Sequence, residues 1–146
     1  MALFPTRRGP SLLSLLSYLF SLTSALQFVL GGLLYCGLEV AYRGYTHRSM
    51  LVAGGVSFVL LCVLARSRLG LAAGAVAGGL MITAVELAAG AVVNLWLGLG
   101  VWDYSAQPLN LWGQICLPYT IKWCALSALV IAAARIARGW TSPGSA

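Results

Sequence analysis

Apolar residues fill four long stretches of the chain, and polar residues gather in the segments between them. The stretches cover about residues 12–38, 50–65, 69–99 and 115–137. Their apolar character is continuous, which is typical of membrane helices, whereas the strands of a membrane barrel alternate. The second stretch is short, because about 16 residues at ~1.5 Å each cover ~24 Å of a ~30 Å hydrocarbon core. The pattern predicts an all-α polytopic membrane protein, with a four-transmembrane-helix bundle forming one domain over residues 1–146.

Composition agrees with a membrane location, since 60% of the residues are hydrophobic and only 8% are charged. A soluble domain carries roughly 25% charged residues. The net charge of +6 comes from arginines that flank the apolar stretches, so it indicates topology and lipid contact instead of nucleic-acid binding. The four cysteines lack metal-binding spacing, and we expect no metal and no cofactor. The expected partners are the lipid bilayer and either further copies of the chain or a larger membrane complex.

Basic residues are distributed unevenly between the two sides of such a bundle. The N-terminus, the second connection and the C-terminus share one side, which carries six basic residues: Arg7, Arg8, Arg66, Arg68, Arg135 and Arg138. The opposite side carries Arg43, Arg48 and Lys122. Cytoplasmic loops are enriched in Lys and Arg. The sequence therefore predicts a multi-pass protein of the cell membrane with both termini in the cytoplasm.

All three carboxylates, Glu39, Glu86 and Asp103, lie in or next to apolar stretches. An ionisable group at membrane depth costs several kcal/mol unless it is paired or faces a watery cavity. Glu39 and Arg43 are four residues apart, so on a helix they can pair directly. Two interpretations of Glu86 stay open. It forms a structural ion pair with an arginine, or it is a substrate, ion or proton site.

Polar residues from three segments converge on the predicted outer side, and we expect an outward-facing polar site there. The candidate ligand-binding or pathway residues are Glu39, Arg43, His47, Arg48, Glu86, Asn94, Trp102, Asp103, Tyr104, Asn110 and Gln114. A second set, Gly70, Gly74 and Gly78, forms a small-xxx-small repeat suited to close helix packing. No nucleophile–base spacing is present, so no catalytic residue is predicted.

Several strings of the chain resemble one family of small bacterial membrane proteins, the CmpB-like ABC-transporter type IV permeases. The most specific strings are Trp102-Asp103-Tyr104-Ser105 and Gly113-Gln114-Ile115-Cys116-Leu117, and the resemblance spans about Leu33 to Ser127. It implies a four-helix integral membrane fold and a role in transport. The sequence contains no GxxxxGK[ST] phosphate loop, so an ATPase for such a transporter would be a separate chain.

Three functions from different classes fit these observations. The first is a permease-like or channel-like transport component with the outward-facing polar site. The second is a non-transporting accessory subunit that docks in a larger complex through the face of Gly70, Gly74 and Gly78. The third is a lipid-directed membrane enzyme, for which Glu86, Asp103 and His47 would supply acid–base groups. We rank the enzyme last because no metal or nucleophile motif supports it.

Overall fold

The computed structural model describes residues 11–141, and the regular elements in this range are helical. They are α1 (Leu12–Leu19), α2 (Leu22–Arg43), α3 (Arg48–Leu64), α4 (Leu71–Gly90) and α5 (Leu117–Thr141). Helix α4 continues as a π-helix over Ala91–Trp96. The described range contains no β-strand, and its isolated bridge joins Leu111 to Ile115. The predicted all-α class is confirmed for these residues.

Three of the described helices are long and apolar enough to cross a membrane. They are α2, α4 with its π-helical extension (Leu71–Trp96), and α5 over Leu117–Gly139. Helix α3 corresponds to the short second stretch and has 17 residues. At ~1.5 Å per residue it covers about 26 Å, less than a typical hydrocarbon core. The described part of the chain thus has three helices of spanning length and one shorter apolar helix.

The structure divides the first predicted stretch, which the sequence indicated as one helix over residues 12–38. Helix α1 ends at Leu19 with Phe20 as its C-cap, and Ser21 has the extended backbone of an N-cap before α2. The Ser21 hydroxyl accepts from Ser24 N–H at 3.3 Å, and the Ser24 hydroxyl donates to Leu19 O at 2.7 Å. Serine side chains compete with helical backbone bonds in this way and favour helix starts. A pattern of apolar residues does not predict this break between α1 and α2.

Helices α2 and α3 form an antiparallel hairpin whose backbones approach closely at two glycine pairs. A Cβ atom at Gly32 would lie 2.5 Å from Leu51 O, and one at Gly55 would lie 2.7 Å from Phe28 O. Gly31 and Gly54, the neighbouring members of the two pairs, are also buried. Only glycine permits such contact between backbone and backbone, as small residues do at membrane-helix interfaces.

Helices α4 and α5 form the second hairpin and also meet at glycines. A Cβ atom at Gly78 would lie 2.7 Å from Ser127 Cβ, and one at Gly74 would lie 3.4 Å from Ile131 Cδ1. Ser127 and Ile131 have no exposed surface. Gly70, in contrast, precedes α4 with no atom near its Cβ position. The face of Gly74 and Gly78 is therefore occupied by a helix of the same chain.

The two hairpins are joined at the turn between α3 and α4. The Arg135 side chain of α5 donates to Ala65 O at 3.2 Å and to Leu69 O at 2.8 Å, satisfying carbonyls where α3 ends. We call this the Arg66 end of the bundle, and the opposite end, where α2 meets α3 and residues 97–116 join α4 to α5, the Glu39 end. Helices α2 and α5 face each other across a seam, which the rings of Tyr35 and Trp123 bridge at 5.8 Å.

Candidate functional site

The π-helix that ends the α4 span directs Asn94 toward the following segment. Asn94 Oδ1 accepts from Val101 N–H at 2.7 Å. Its Nδ2 donates to Trp102 O at 3.0 Å and to Gln114 Oε1 at 2.8 Å. Short π-helical turns occur frequently at functional sites. Here the turn allows the Asn94 amide to hydrogen-bond Val101 and Trp102 near the start of residues 97–116 and Gln114 near their end.

Trp102 and Gln114 complete this network in the interior of the protein. The Trp102 indole N–H donates to Gln114 O at 2.9 Å, and Gln114 Nε2 donates to Trp112 O at 2.9 Å. Both side chains are buried. A Cβ atom at Gly90 would lie 2.5 Å from Gln114 Oε1, so this glycine makes room for the amide. The polar groups of Asn94, Trp102 and Gln114 thus bind one another and the backbone.

Asp103 forms a tight turn with Ser105 at the surface. Asp103 Oδ1 accepts from Ser105 N–H at 2.8 Å and from the Ser105 hydroxyl at 2.6 Å. These two hydrogen bonds hold the pKa of Asp103 below its usual range, because they favour the charged form. Gly113 packs against the turn with φ +68°, and a Cβ there would lie 2.6 Å from Asp103 Oδ1. Asp103 is therefore engaged in shaping this segment.

Asn110 also makes hydrogen bonds within residues 97–116. Its Nδ2 donates to Ser105 O at 3.1 Å and to Gln107 O at 3.0 Å, and its Oδ1 accepts from Gly113 N–H at 3.2 Å. These bonds tie the middle of residues 97–116 into a compact turn. The side chain is exposed and lies outside the cavity described below.

Glu86 is buried, with 8% of its surface exposed, and both carboxylate oxygens have neutral donors. Oε1 accepts from the Tyr104 hydroxyl at 2.8 Å, and Oε2 accepts from the Trp123 indole N–H at 3.0 Å. No arginine forms an ion pair with Glu86 among residues 11–141. The first interpretation offered by the sequence, an ion pair with arginine, does not describe its contacts.

Arg43 instead pairs with Glu39, as their spacing predicts. Arg43 Nη2 lies 2.6 Å from Glu39 Oε1, and Nη1 donates to Val101 O at 3.1 Å. The Thr46 hydroxyl donates to Glu39 Oε2 at 2.6 Å. The guanidinium also lies 4.6 Å from the centre of the Tyr45 ring. The pair therefore links α2 to the segment that follows α4.

His47 and Arg48 lie at the start of α3, away from this cluster. His47 caps the helix, with Nδ1 accepting from Ser49 N–H at 3.2 Å. Arg48 is exposed. Within the described part of the chain, no three His, Cys, Asp or Glu side chains are placed to hold a metal ion.

A cavity of about 310 Å³ opens in the seam between α2 and α5 at the Glu39 end. We call it the aromatic cavity; it is lined by Tyr35, Leu38, Glu39, Tyr42, Arg43, Tyr104, Tyr119, Lys122 and Trp123. The Tyr104 and Tyr119 rings stack at 4.5 Å, and the Lys122 ammonium lies 4.1 Å from the centre of the Tyr119 ring. Burial, together with the nearby Glu86 carboxylate, raises the pKa of the Tyr104 hydroxyl. The cavity combines aromatic walls with fixed charges, as small-molecule sites do.

The structure brings only some of the predicted site residues to this cavity. Glu39, Arg43 and Tyr104 line it, and Glu86 lies directly behind Tyr104 and Trp123. Sequence reasoning missed Tyr35, Tyr119 and Lys122 as lining residues. A signal was available, because Tyr119, Lys122 and Trp123 occur at three- and four-residue steps near the start of the last helix.

Comparison with known proteins identifies a family. A family model described as "Putative ABC-transporter type IV" matches residues 18–138, which include every residue of the aromatic cavity. No curated protein and no solved structure matches the chain.

Proposed function

The chain belongs to the family described as "Putative ABC-transporter type IV", and from that membership we propose that it is a permease-like membrane transport component whose substrate binds in the aromatic cavity. The observation that carries the proposal is the contact between this cavity and a buried carboxylate. Tyr104 and Trp123 line the cavity, and each donates a hydrogen bond to Glu86. A ligand that moves either ring therefore alters the hydrogen bonds of an intramembrane acid.

The lining defines the chemistry of the expected substrate. Five aromatic rings favour a flat apolar body, and Lys122 offers a positive charge at the rim. The Glu39–Arg43 pair adds an acceptor and a donor side by side. We expect a small molecule with an aromatic or apolar body and a carboxylate or phosphate group, of a size that a cavity of about 310 Å³ admits.

We further propose four transmembrane spans with both termini in the cytoplasm. Helix α3 is apolar along its length and antiparallel to α2, which supports a crossing despite its 17 residues. The Arg66 end carries Arg66, Arg68, Arg135 and Arg138, against Arg43, Arg48 and Lys122 at the Glu39 end. By the positive-inside rule the Arg66 end faces the cytoplasm, so the aromatic cavity faces outward.

Two other functions have less support from the contacts. The accessory-subunit hypothesis relied on the face of Gly70, Gly74 and Gly78. Helix α5 of the same chain covers Gly74 and Gly78, and Gly70 precedes α4. The enzyme hypothesis relied on acid–base groups acting together. His47 caps α3, Asp103 binds Ser105, and Glu86 is buried behind two rings, so the three do not converge on one site.

Thermal stabilisation by ligands tests the proposed site. Purified protein in detergent is screened against aromatic carboxylates, aromatic amino acids and aryl phosphates, and each stabilising compound is then tested for counterflow in proteoliposomes. We expect a compound that raises the Tm of the wild type and exchanges across the bilayer. Lys122→Gln should abolish both effects. Arg48→Gln, a change of charge at the same end but outside the cavity, should preserve them.

Three outcomes would contradict the proposal. A compound that binds without exchange would identify a binding protein, and equal losses in the Lys122 and Arg48 variants would indicate surface charge instead of a cavity. A compound that binds and exchanges in both variants would place the substrate elsewhere in the molecule.

A further inference from the structure

A second and larger cavity lies in the same seam at the opposite end of the bundle. It has a volume of about 740 Å³ and lies between α1, α2 and α5, with Phe58 and Cys62 of α3 also lining it. We call it the Arg66 cavity. It shares Leu34, Phe58 and Val130 with a cavity of about 270 Å³ in the middle of the seam. The two cavities are therefore adjacent along the seam.

Positive charge in the Arg66 cavity is concentrated at the end nearest the turn between α3 and α4. Arg66 and Arg138 both line it. The Arg66 guanidinium lies 3.8 Å from the centre of the buried Tyr18 ring, which fixes its direction. Among the described residues that line this cavity none is Asp or Glu, and Glu39, Glu86 and Asp103 are not among its lining residues. The electrostatic complement of this end is an anion.

The shape and lining together identify an amphiphile. The walls away from the arginines are apolar, with Leu30, Leu34, Phe58 and Val130 among them. A soluble anion would leave those walls bare, whereas an anionic phospholipid covers them with an acyl chain and brings its phosphate to Arg66. Basic pockets between membrane helices on the cytoplasmic side are suited to anionic head groups.

We propose that the Arg66 cavity binds one anionic phospholipid, with its phosphate at Arg66 and Arg138 and an acyl chain along α2 and α5 toward the middle of the seam. The middle cavity is apolar apart from Tyr35, Ser57 and Trp123, so a charged head group has no path onward. The lipid is therefore a resident that fills the seam and holds α2 and α5 in place. The Arg66 cavity shares no lining residue with the aromatic cavity, and the proposal does not depend on the proposed substrate.

Native mass spectrometry of the purified full chain tests the proposal. The protein is titrated with phosphatidylglycerol and with phosphatidylcholine of identical acyl chains. We expect phosphatidylglycerol to bind about 30-fold more tightly, the ratio that ~1 kcal/mol for each of the two arginines gives. Arg66→Gln should reduce this preference about fivefold, because Arg138 keeps its share. Arg68→Gln, two residues away and exposed but outside the cavity, should retain it.

A second pair of variants tests the acyl-chain site independently of charge. Ala133 lines the cavity, and Ala133→Trp should weaken the binding of both lipids. Ile136 is exposed on the same helix but does not line the cavity, and Ile136→Trp should leave binding unchanged. Glycerol 3-phosphate, which has the phosphate without the chains, should not compete.

Three results would overturn the assignment. Equal affinity for the two lipids would remove the role of the arginines, and displacement by glycerol 3-phosphate would point to a soluble anion. A dimer that forms in place of lipid binding, and that Ala133→Trp dissociates, would show that a second copy of the chain occupies the seam.

Discussion

At the scale of single residues, the four-residue string from Trp102 to Ser105 distributes its side chains among distinct contacts. Trp102 is buried and donates to Gln114 O, and Asp103 binds Ser105 to form the surface turn. Tyr104 alone reaches the buried carboxylate of Glu86. The string therefore joins the surface turn to the interior of the bundle. Its two aromatic residues make the interior contacts, and its two polar residues form the surface turn.

Glu86 offers the clearest test at this scale. In Glu86→Gln the amide oxygen can accept from the Trp123 indole, and the amide N–H can donate to the Tyr104 hydroxyl. In Glu86→Leu both partners lose their acceptor, which costs about 1–3 kcal/mol for each buried group left unpaired. We expect the glutamine variant to unfold near the wild-type temperature and the leucine variant several degrees lower. Thermal unfolding in detergent measures the difference.

The same pair of variants separates structure from activity. Once a transported compound is identified, Glu86→Gln should abolish its exchange in proteoliposomes if the ionisable group takes part in transport. Equal destabilisation by Gln and Leu would contradict the hydrogen bonds described for Tyr104 and Trp123.

The sequence predicted contacts between residues that are close together in the chain. It did not predict contacts that depend on how the helices face each other. The Glu39–Arg43 pair follows from a four-residue spacing on one helix. Glu86, however, meets donors 18 and 37 residues away, and neither the return of residues 97–116 nor the orientation of α5 is encoded in a periodic pattern. For the same reason the sequence offered arginine as a partner for Glu86, although two neutral rings occupy that position.

At the scale of elements, the hairpins are shaped by glycines that differ in their surroundings. The pairs Gly31–Gly32 and Gly54–Gly55 bring α2 and α3 together, and Gly74, Gly78 and Gly79 do so for α4 and α5. The sequence predicts Gly70 as a member of the second set, but Gly70 precedes the helix and no atom lies within 4 Å of its Cβ position. A spacing of four residues indicates a shared helix face only for residues within the helix. The sequence pattern did not predict that α4 begins after Gly70.

Alanine substitutions at two helical glycines distinguish packing from propensity. At Gly55 the added Cβ would lie 2.7 Å from Phe28 O, so Gly55→Ala should force α2 and α3 apart and lower the Tm. At Gly37 of α2 nothing lies within 4 Å, so Gly37→Ala should preserve or raise the Tm, since alanine gains up to ~1 kcal/mol in helix propensity. Unfolding curves in the same detergent compare the two. A Gly55→Ala variant as stable as Gly37→Ala would contradict the close approach.

At the scale of the whole molecule, two tight hairpins leave a looser seam between α2 and α5. Cavities occupy this seam at both ends and in its middle, whereas glycines close the contacts within each hairpin. Hydropathy predicted the helical class and the positions of the apolar stretches. It could not predict the seam, because apolar residues that face lipid and apolar residues that line a cavity have the same composition.

Cysteine labelling tests the proposed number of spans. Thr46→Cys, Ser67→Cys and Ala106→Cys are treated in cells with a membrane-impermeant maleimide, with the wild type as the control for the native cysteines. Four spans predict that positions 46 and 106 react in intact cells and that position 67 reacts only after permeabilisation. If α3 did not cross, positions 46 and 67 would react on the same side, and the four-span proposal would be wrong.

The hydrogen bonds from Arg135 to Ala65 O and Leu69 O can form only late in biosynthesis. The ribosome makes the turn between α3 and α4 about 70 residues before the arginine that completes it. Until α5 emerges, these carbonyls depend on water or lipid head groups, so the nascent turn has to stay at the membrane surface. A stalled or truncated chain that ends before Arg135 would leave these two carbonyls without their side-chain donor.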